Sequence, residues 1–179
     1  MSDDQHQFLL DEFFSLTLRA LAQRGKLYRK GSNEKSRAAF RNSLRSWLER
    51  VTVEQYKDPV ADDLHFENIQ KFADEMSAAH SDALNGGRLR IGSAQKALNL
   101  YLKYMWCSGQ IPEPPHCPFD YMVLKYIPQC KHIKWTQLDS MERYKQLVKD
   151  ARSQAGQVSI AQWELKLYND VQPGSATRS

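Results

Sequence analysis

The segment 93–107, SAQKALNLYLKYMWC, constrains the fold more than any other, because Ala94, Ala97, Leu98, Tyr101, Leu102 and Met105 recur at three- and four-residue steps. That period lays them along one face of an α-helix and excludes a strand, whose apolar positions would alternate. Similar stripes run through the rest of the chain. Leu10, Phe14, Leu18 and Leu21 mark a helix over 8–23 that stops near Gly25. Phe40, Leu44, Trp47, Leu48 and Val51 mark a second, capped by Ser32 or Asn33 and reaching about Val51. Beyond Pro59, Asp62 or Asp63 caps a third helix carrying Ile69, Phe72, Ala73, Met76 and Ala83, which Asn85-Gly86-Gly87 ends. A short basic link follows, and Ser93 caps the fourth helix.

After a proline-rich connector, 119–127 reads as a short helix and the stretch from Pro128 as another connector. Thr136 or Asp139 caps a helix that turns Leu138, Met141, Tyr144, Leu147, Val148 and Ala151 inward. Ser159 with Gln162 forms a capping box for a last helix with Ile160, Trp163, Leu167 and Val171 inside. RLRI is too short to count as a strand. The expected architecture is all-α: a compact single-domain bundle of about six or seven helices over 8–172, with a frayed N-terminus at 1–7 and a disordered tail at 173–179.

The connector, WCSGQIPEPPHCPFDYM, is a stiff corner, since its prolines fix backbone dihedrals and Pro118 suits the start of a helix. Cys117 falls at a cap position, small enough to pack under Trp106, Phe119 and Tyr121. Cys107, His116, Cys117, Cys130 and His132 are ligand types for zinc, but only Cys130-Lys131-His132 resembles a chelating pair, so no metal and no cofactor is expected. Three cysteines suit a reducing compartment. MSDDQHQ lacks the basic and apolar stretches of a secretory signal, and no apolar run approaches membrane-spanning length. The expectation is a soluble cytoplasmic protein with no membrane partner.

The net charge of +4 hides a division. Between Arg19 and Arg50 ten basic residues face two acids, Glu34 and Glu49, for a local +8, whereas the remaining fifteen basic residues face nineteen acids. Such asymmetry points to a polyanionic partner, DNA or RNA. Arg37, Arg41 and Arg45, at four-residue spacing, form a ridge opposite the apolar stripe, and Arg29 and Lys30 precede it in a loop. Together they could follow a phosphate backbone.

The segment SAQKALNLYLKYMWCSGQIPEPP resembles the closing helix of the core-binding domain of tyrosine recombinases, in its small and aromatic residues, its Gly-containing turn and its Ile-Pro exit. The resemblance covers about 93–115 and implies a helical DNA-clamping module that contacts the duplex through Lys96 and Lys103. The catalytic half of that family is not legible after Pro115.

Phosphate-loop, HExxH and G-x-S-x-G patterns are all missing, and the acidic clusters at 58–63 and 139–142 sit where helix caps belong. With no catalytic residues to assign, a non-enzymatic role is expected. The alternative to nucleic-acid binding is a helical interaction or oligomerisation module, taking another protein or a second copy through Trp106 and Trp135, which flank the two connectors.

Overall fold

Of the caps expected from the sequence, Asn33 and Ser159 are used. The helices that open at Asp62, Ile91 and Met141 start from Ala61, Arg90 and Ser140, and not from Asp62 or Asp63, Ser93, and Thr136 or Asp139. The computed structural model describes residues 2–23 and 26–171. Among them are seven α-helices: α1 (Asp3–Ala22), α2 (Glu34–Gln55), α3 (Asp62–His80), α4 (Ile91–Cys107), α5 (Tyr121–Leu124), α6 (Met141–Ala155) and α7 (Ile160–Val171). Single 3₁₀ turns lie at Asn85–Gly87, Pro128–Cys130 and Trp135–Gln137. The described residues form no strand, only one backbone bridge between Tyr28 and Leu84. None of the helices is long and apolar enough to cross a membrane.

Helix α4 is the hub. α1, α2, α3 and α6 pack on it, and the Trp135–Gln137 turn covers its N-terminal end. The expected inner face, Ala94, Ala97, Leu98, Tyr101, Leu102 and Met105, is buried, but so are Gln95, Lys96, Asn99 and Lys103 on its other sides. A helix enclosed this way places every polar side chain where a missing partner would be expensive.

Several further features depart from expectation for local reasons. α1 begins at Asp3, within the stretch expected to fray, because Ser2 and Gln5 close a reciprocal capping box: Gln5 N–H donates to Ser2 Oγ at 3.2 Å and Ser2 N–H to Gln5 Oε1 at 2.8 Å. α3 ends at His80, and Ala83 instead accepts the Arg29 N–H in the bridged segment. α5 has only four residues, started by Asp120, whose Oδ1 accepts the Met122 N–H. The box expected at Ser159 is half formed: Gln162 N–H donates to Ser159 Oγ, while its side chain donates to Glu113 at 2.6 Å and ties α7 to the proline connector. The tail at 173–179 lies outside the described residues.

Gly92, in the first turn of α4, shows how closely the turn at Trp135 approaches. Its N–H donates to the Leu138 carbonyl at 2.7 Å, and a Cβ there would overlap the Trp135 carbonyl oxygen and stand 3.1 Å from the Leu138 Cβ. Backbone cannot swing aside as a side chain can. Gly92→Ala is therefore expected to lower stability by about 3 kcal/mol, at the upper end of overpacking effects, read as a fall in the urea midpoint at unchanged m-value.

Candidate functional site

The basic residues singled out by the sequence separate into two groups once their partners are known. Arg41 pairs with Glu34, and Arg45 bridges Asp11 at 2.5 Å and Glu49 at 2.7 Å while its guanidinium lies over the Phe14 ring. Those contacts hold the Glu34 and Asp11 carboxyls below the usual carboxylate range. The upper part of the ridge is thus a neutralised seam between α1 and α2.

Arg37, at the N-terminal end of α2, is different: its Nε donates to Ser32 Oγ at 2.9 Å, its guanidinium lies over Tyr28, and it joins no ion pair among the described residues. Arg29, Lys30 and Lys35 are exposed and likewise make no ion pair among the described residues. This group gains neighbours through the backbone. Arg29 N–H donates to Ala83 O at 2.8 Å and Asn85 N–H to Leu27 O at 3.0 Å, so the segment 26–30 lies antiparallel to 83–85. Lys26 is thereby brought beside the link that carries Arg88 and Arg90, while Arg29 lies at the other end of the pairing, against Ala83. Sequence reading noticed that link as basic but had no reason to join it to the loop, since the pairing spans more than fifty positions.

Between these segments opens a cleft of about 280 Å³, lined mostly by polar groups, Lys26, Arg88, Arg90, Ser93, Thr136 and Gln137 among them, with Leu21, Leu27 and Leu89 buried at its lining. Arg88 reaches Asp139 at 3.1 Å and Arg90 donates to the Thr136 carbonyl at 3.0 Å.

Lys96 and Lys103 are corrections. Both are buried: Lys96 Nζ stands 3.3 Å from Asp120 and 4.3 Å above the Trp135 ring, and Lys103 Nζ donates to both Glu164 oxygens at 2.9 and 2.7 Å. Burial pushes the Glu164 carboxyl up and the Lys103 ammonium opposes it. Neither lysine can reach a duplex, so the contacts implied by the recombinase resemblance do not form at these positions. Trp135, expected at the surface, is 4% exposed, and Trp106 packs partly buried against the core. The large apolar side chains left exposed include Tyr121, Met122, Tyr126 and Tyr168, on or beside α5 and α7.

The zinc-type residues do not converge either. Cys107 is exposed, Cys117 is buried and Cys130 lies against Asp150, whose carboxylate, together with burial, raises the thiol to about 12. No cluster of three His, Cys, Asp or Glu side chains suited to a metal occurs among the described residues.

His116 instead joins a buried chain that the sequence did not disclose. Tyr56 Oη meets His65 Nδ1 at 2.6 Å, His65 Nε2 meets Asn99 Oδ1 at 2.8 Å, Asn99 Nδ2 donates to Tyr144 Oη at 3.1 Å, and Tyr144 Oη meets His116 Nδ1 at 2.8 Å. Beyond it His116 Nε2 faces Asp62 at 3.4 Å, and Arg152 holds both Asp62 oxygens. One set of proton positions serves every link. Asn68 donates to Tyr56, Tyr56 to His65, His65 to Asn99, Asn99 to Tyr144, and Tyr144 to His116, which leaves the His116 Nε2–H directed at Asp62. Gln95 completes the cluster, accepting from Asn99 and the Phe119 N–H and donating to the Gly92 and Phe119 carbonyls.

Carboxylate, imidazole and hydroxyl in sequence could in principle activate a nucleophile. Here His116 and Tyr144 are both 0% exposed, so no substrate reaches the hydroxyl and the chain acts as a structural brace. Burial depresses both imidazoles, and Asp62 opposes the effect on His116. The Asp62 carboxyl is held below the usual range by His116 and Arg152, the guanidinium supplying the positive charge while His116 stays neutral. Neither a family model, nor a curated protein, nor a solved structure matches the chain, so geometry alone carries the functional reading.

Both features have measurable consequences. Lys103→Met leaves Glu164 charged and buried and is expected to cost about 3 kcal/mol, whereas Lys103→Met with Glu164→Leu should recover most of the loss in denaturant unfolding. Because His65 and His116 titrate below their usual 6.5, the unfolded chain binds more protons as the medium acidifies. Stability is thus full above pH 6.5 and declines as pH falls below it, and a smaller decline in His65→Gln, followed by thermal unfolding at pH 7.5 and 5.0, would assign the effect.

Proposed function

We propose that the protein binds nucleic acid without catalysis, through cations at the N-terminal end of α2, the loop before it and the adjoining 88–90 link. The observation that carries this reading is the sorting of charge: Arg29, Lys30, Lys35 and Arg37 make no ion pair among the described residues, whereas Arg41, Arg45, Lys96 and Lys103 are matched to acids. Cations that are not paired with an internal acid are the ones available to displace counterions from a phosphate backbone, and arginine adds bidentate contacts. The site proposed is therefore smaller than the ridge suggested by the sequence, and is centred on the loop.

A second reading, a helical module that docks a protein partner, draws on one observation. Met122, Tyr126 and Tyr168 line a groove of about 130 Å³ between α5 and α7 and leave an exposed apolar surface there, on a part of the molecule with no role in the first reading.

Fluorescence anisotropy with labelled single- and double-stranded oligonucleotides separates the two. Affinity should fall steeply with salt, and Arg29→Glu with Lys30→Glu and Lys35→Glu should weaken binding at least tenfold and flatten the salt slope by roughly two to three. Arg45→Gln should change affinity little. Absence of binding at low salt removes the first reading and leaves the exposed apolar surface as the place to look for a partner.

A further inference from the structure

We infer that the cleft beside Lys26, Arg88 and Arg90 takes a single nucleotide bearing a terminal phosphate monoester, an inference that rests on the nucleic-acid reading above and narrows it. The shape is the first reason. A volume of about 280 Å³ lies at the lower end of small-ligand sites, room for one nucleotide and far too little for a duplex, whose backbone phosphates would remain outside.

Charge is the second reason. Lys26, Arg88 and Arg90 contribute three positive charges, and Asp139, the partner of Arg88, offsets one of them. The surplus of two matches a phosphate monoester, which carries nearly two negative charges at neutral pH, better than the single charge of an internal phosphodiester. Lys26 makes no ion pair among the described residues, so it is available to the ligand.

Polar groups carry the recognition: Leu21, Leu27 and Leu89 are buried and present little surface, while the Ser93 and Thr136 hydroxyls and the Asn85 and Gln137 amides stand among the polar lining for base, sugar or phosphate atoms. The amides that begin α4 play no part, because the Ile91 N–H faces Asp139 at 3.4 Å and the Gly92 N–H is bonded to Leu138. The phosphate is held by side chains.

The test compares 3′-labelled single-stranded oligonucleotides that carry either a 5′-phosphate or a 5′-hydroxyl, by anisotropy at fixed salt. A parallel calorimetric titration uses adenosine 5′-monophosphate. Each is run on the wild type and on Lys26→Gln with Arg88→Gln; both side chains are exposed, so the fold is expected to persist, as thermal unfolding would confirm. The expected result is binding at least about tenfold tighter for the phosphorylated end, with that preference lost in the variant, in which the salt-dependent background, shared by Lys26 and Arg88, weakens alike for both ends. If oligonucleotides fail to bind but the free nucleotide does, sensitive to the same substitutions, the cleft stands as a free-nucleotide site and the nucleic-acid reading falls. If both ends bind equally and the nucleotide does not, the inference is overturned and the nucleic-acid reading survives. Silence in every arm overturns both.

Discussion

Burying α4 over most of its surface is the constraint from which the remaining structure follows. A central helix with Gln95, Lys96, Asn99 and Lys103 on its flanks can be enclosed only if each of these finds a partner from a neighbouring element. α3 supplies His65, α6 supplies Tyr144, α7 supplies Glu164, and the residue that caps α5 supplies Asp120. Every one of those contacts fixes the rotation and height of the helix that provides it. Apolar packing would hold the bundle together, but the polar partners specify one arrangement of it.

The proline connector takes its meaning from the same constraint. Its prolines stiffen the chain between α4 and α5, and the stiff segment delivers His116 into the core, where it closes the chain from Tyr144 to Asp62. Cys117 beside it is buried, and burial drives its thiol well above the usual range, so it is a packing group and not a nucleophile. What looks chemically loaded in the sequence is therefore part of the brace. The surface on which function is proposed lies elsewhere, where the segments 26–30 and 83–90 run together and leave cations facing outward.

That separation explains how far the candidate site could be read in advance. Arg29, Lys30 and Arg37 were visible as a local excess of charge, because net charge over a short window needs no fold to interpret. Arg88 and Arg90 were visible only as a short basic link, since their association with the loop depends on a backbone pairing across more than fifty positions. Lys96 and Lys103 were misplaced because an aliphatic stem ending in a cation looks the same in a sequence whether it meets water or a buried carboxylate. Trp135 was misplaced in the same way, since a tryptophan in a connector reads as exposed until a helix is packed beneath it.

The sequence by itself determined that the chain is all-α and nearly where each helix lies, because periodicity and capping are short-range properties written within a few residues of one another. It also determined that the basic residues cluster before and along α2. Only the tertiary structure decided which cations are spent inside the protein and which remain outside, and that α4 is buried on its polar flanks as well as on its apolar face. The physical reason is that burial and ion pairing are set by what lies across a contact, and for Lys103 and Glu164 or His65 and Asn99 that partner is dozens of residues away.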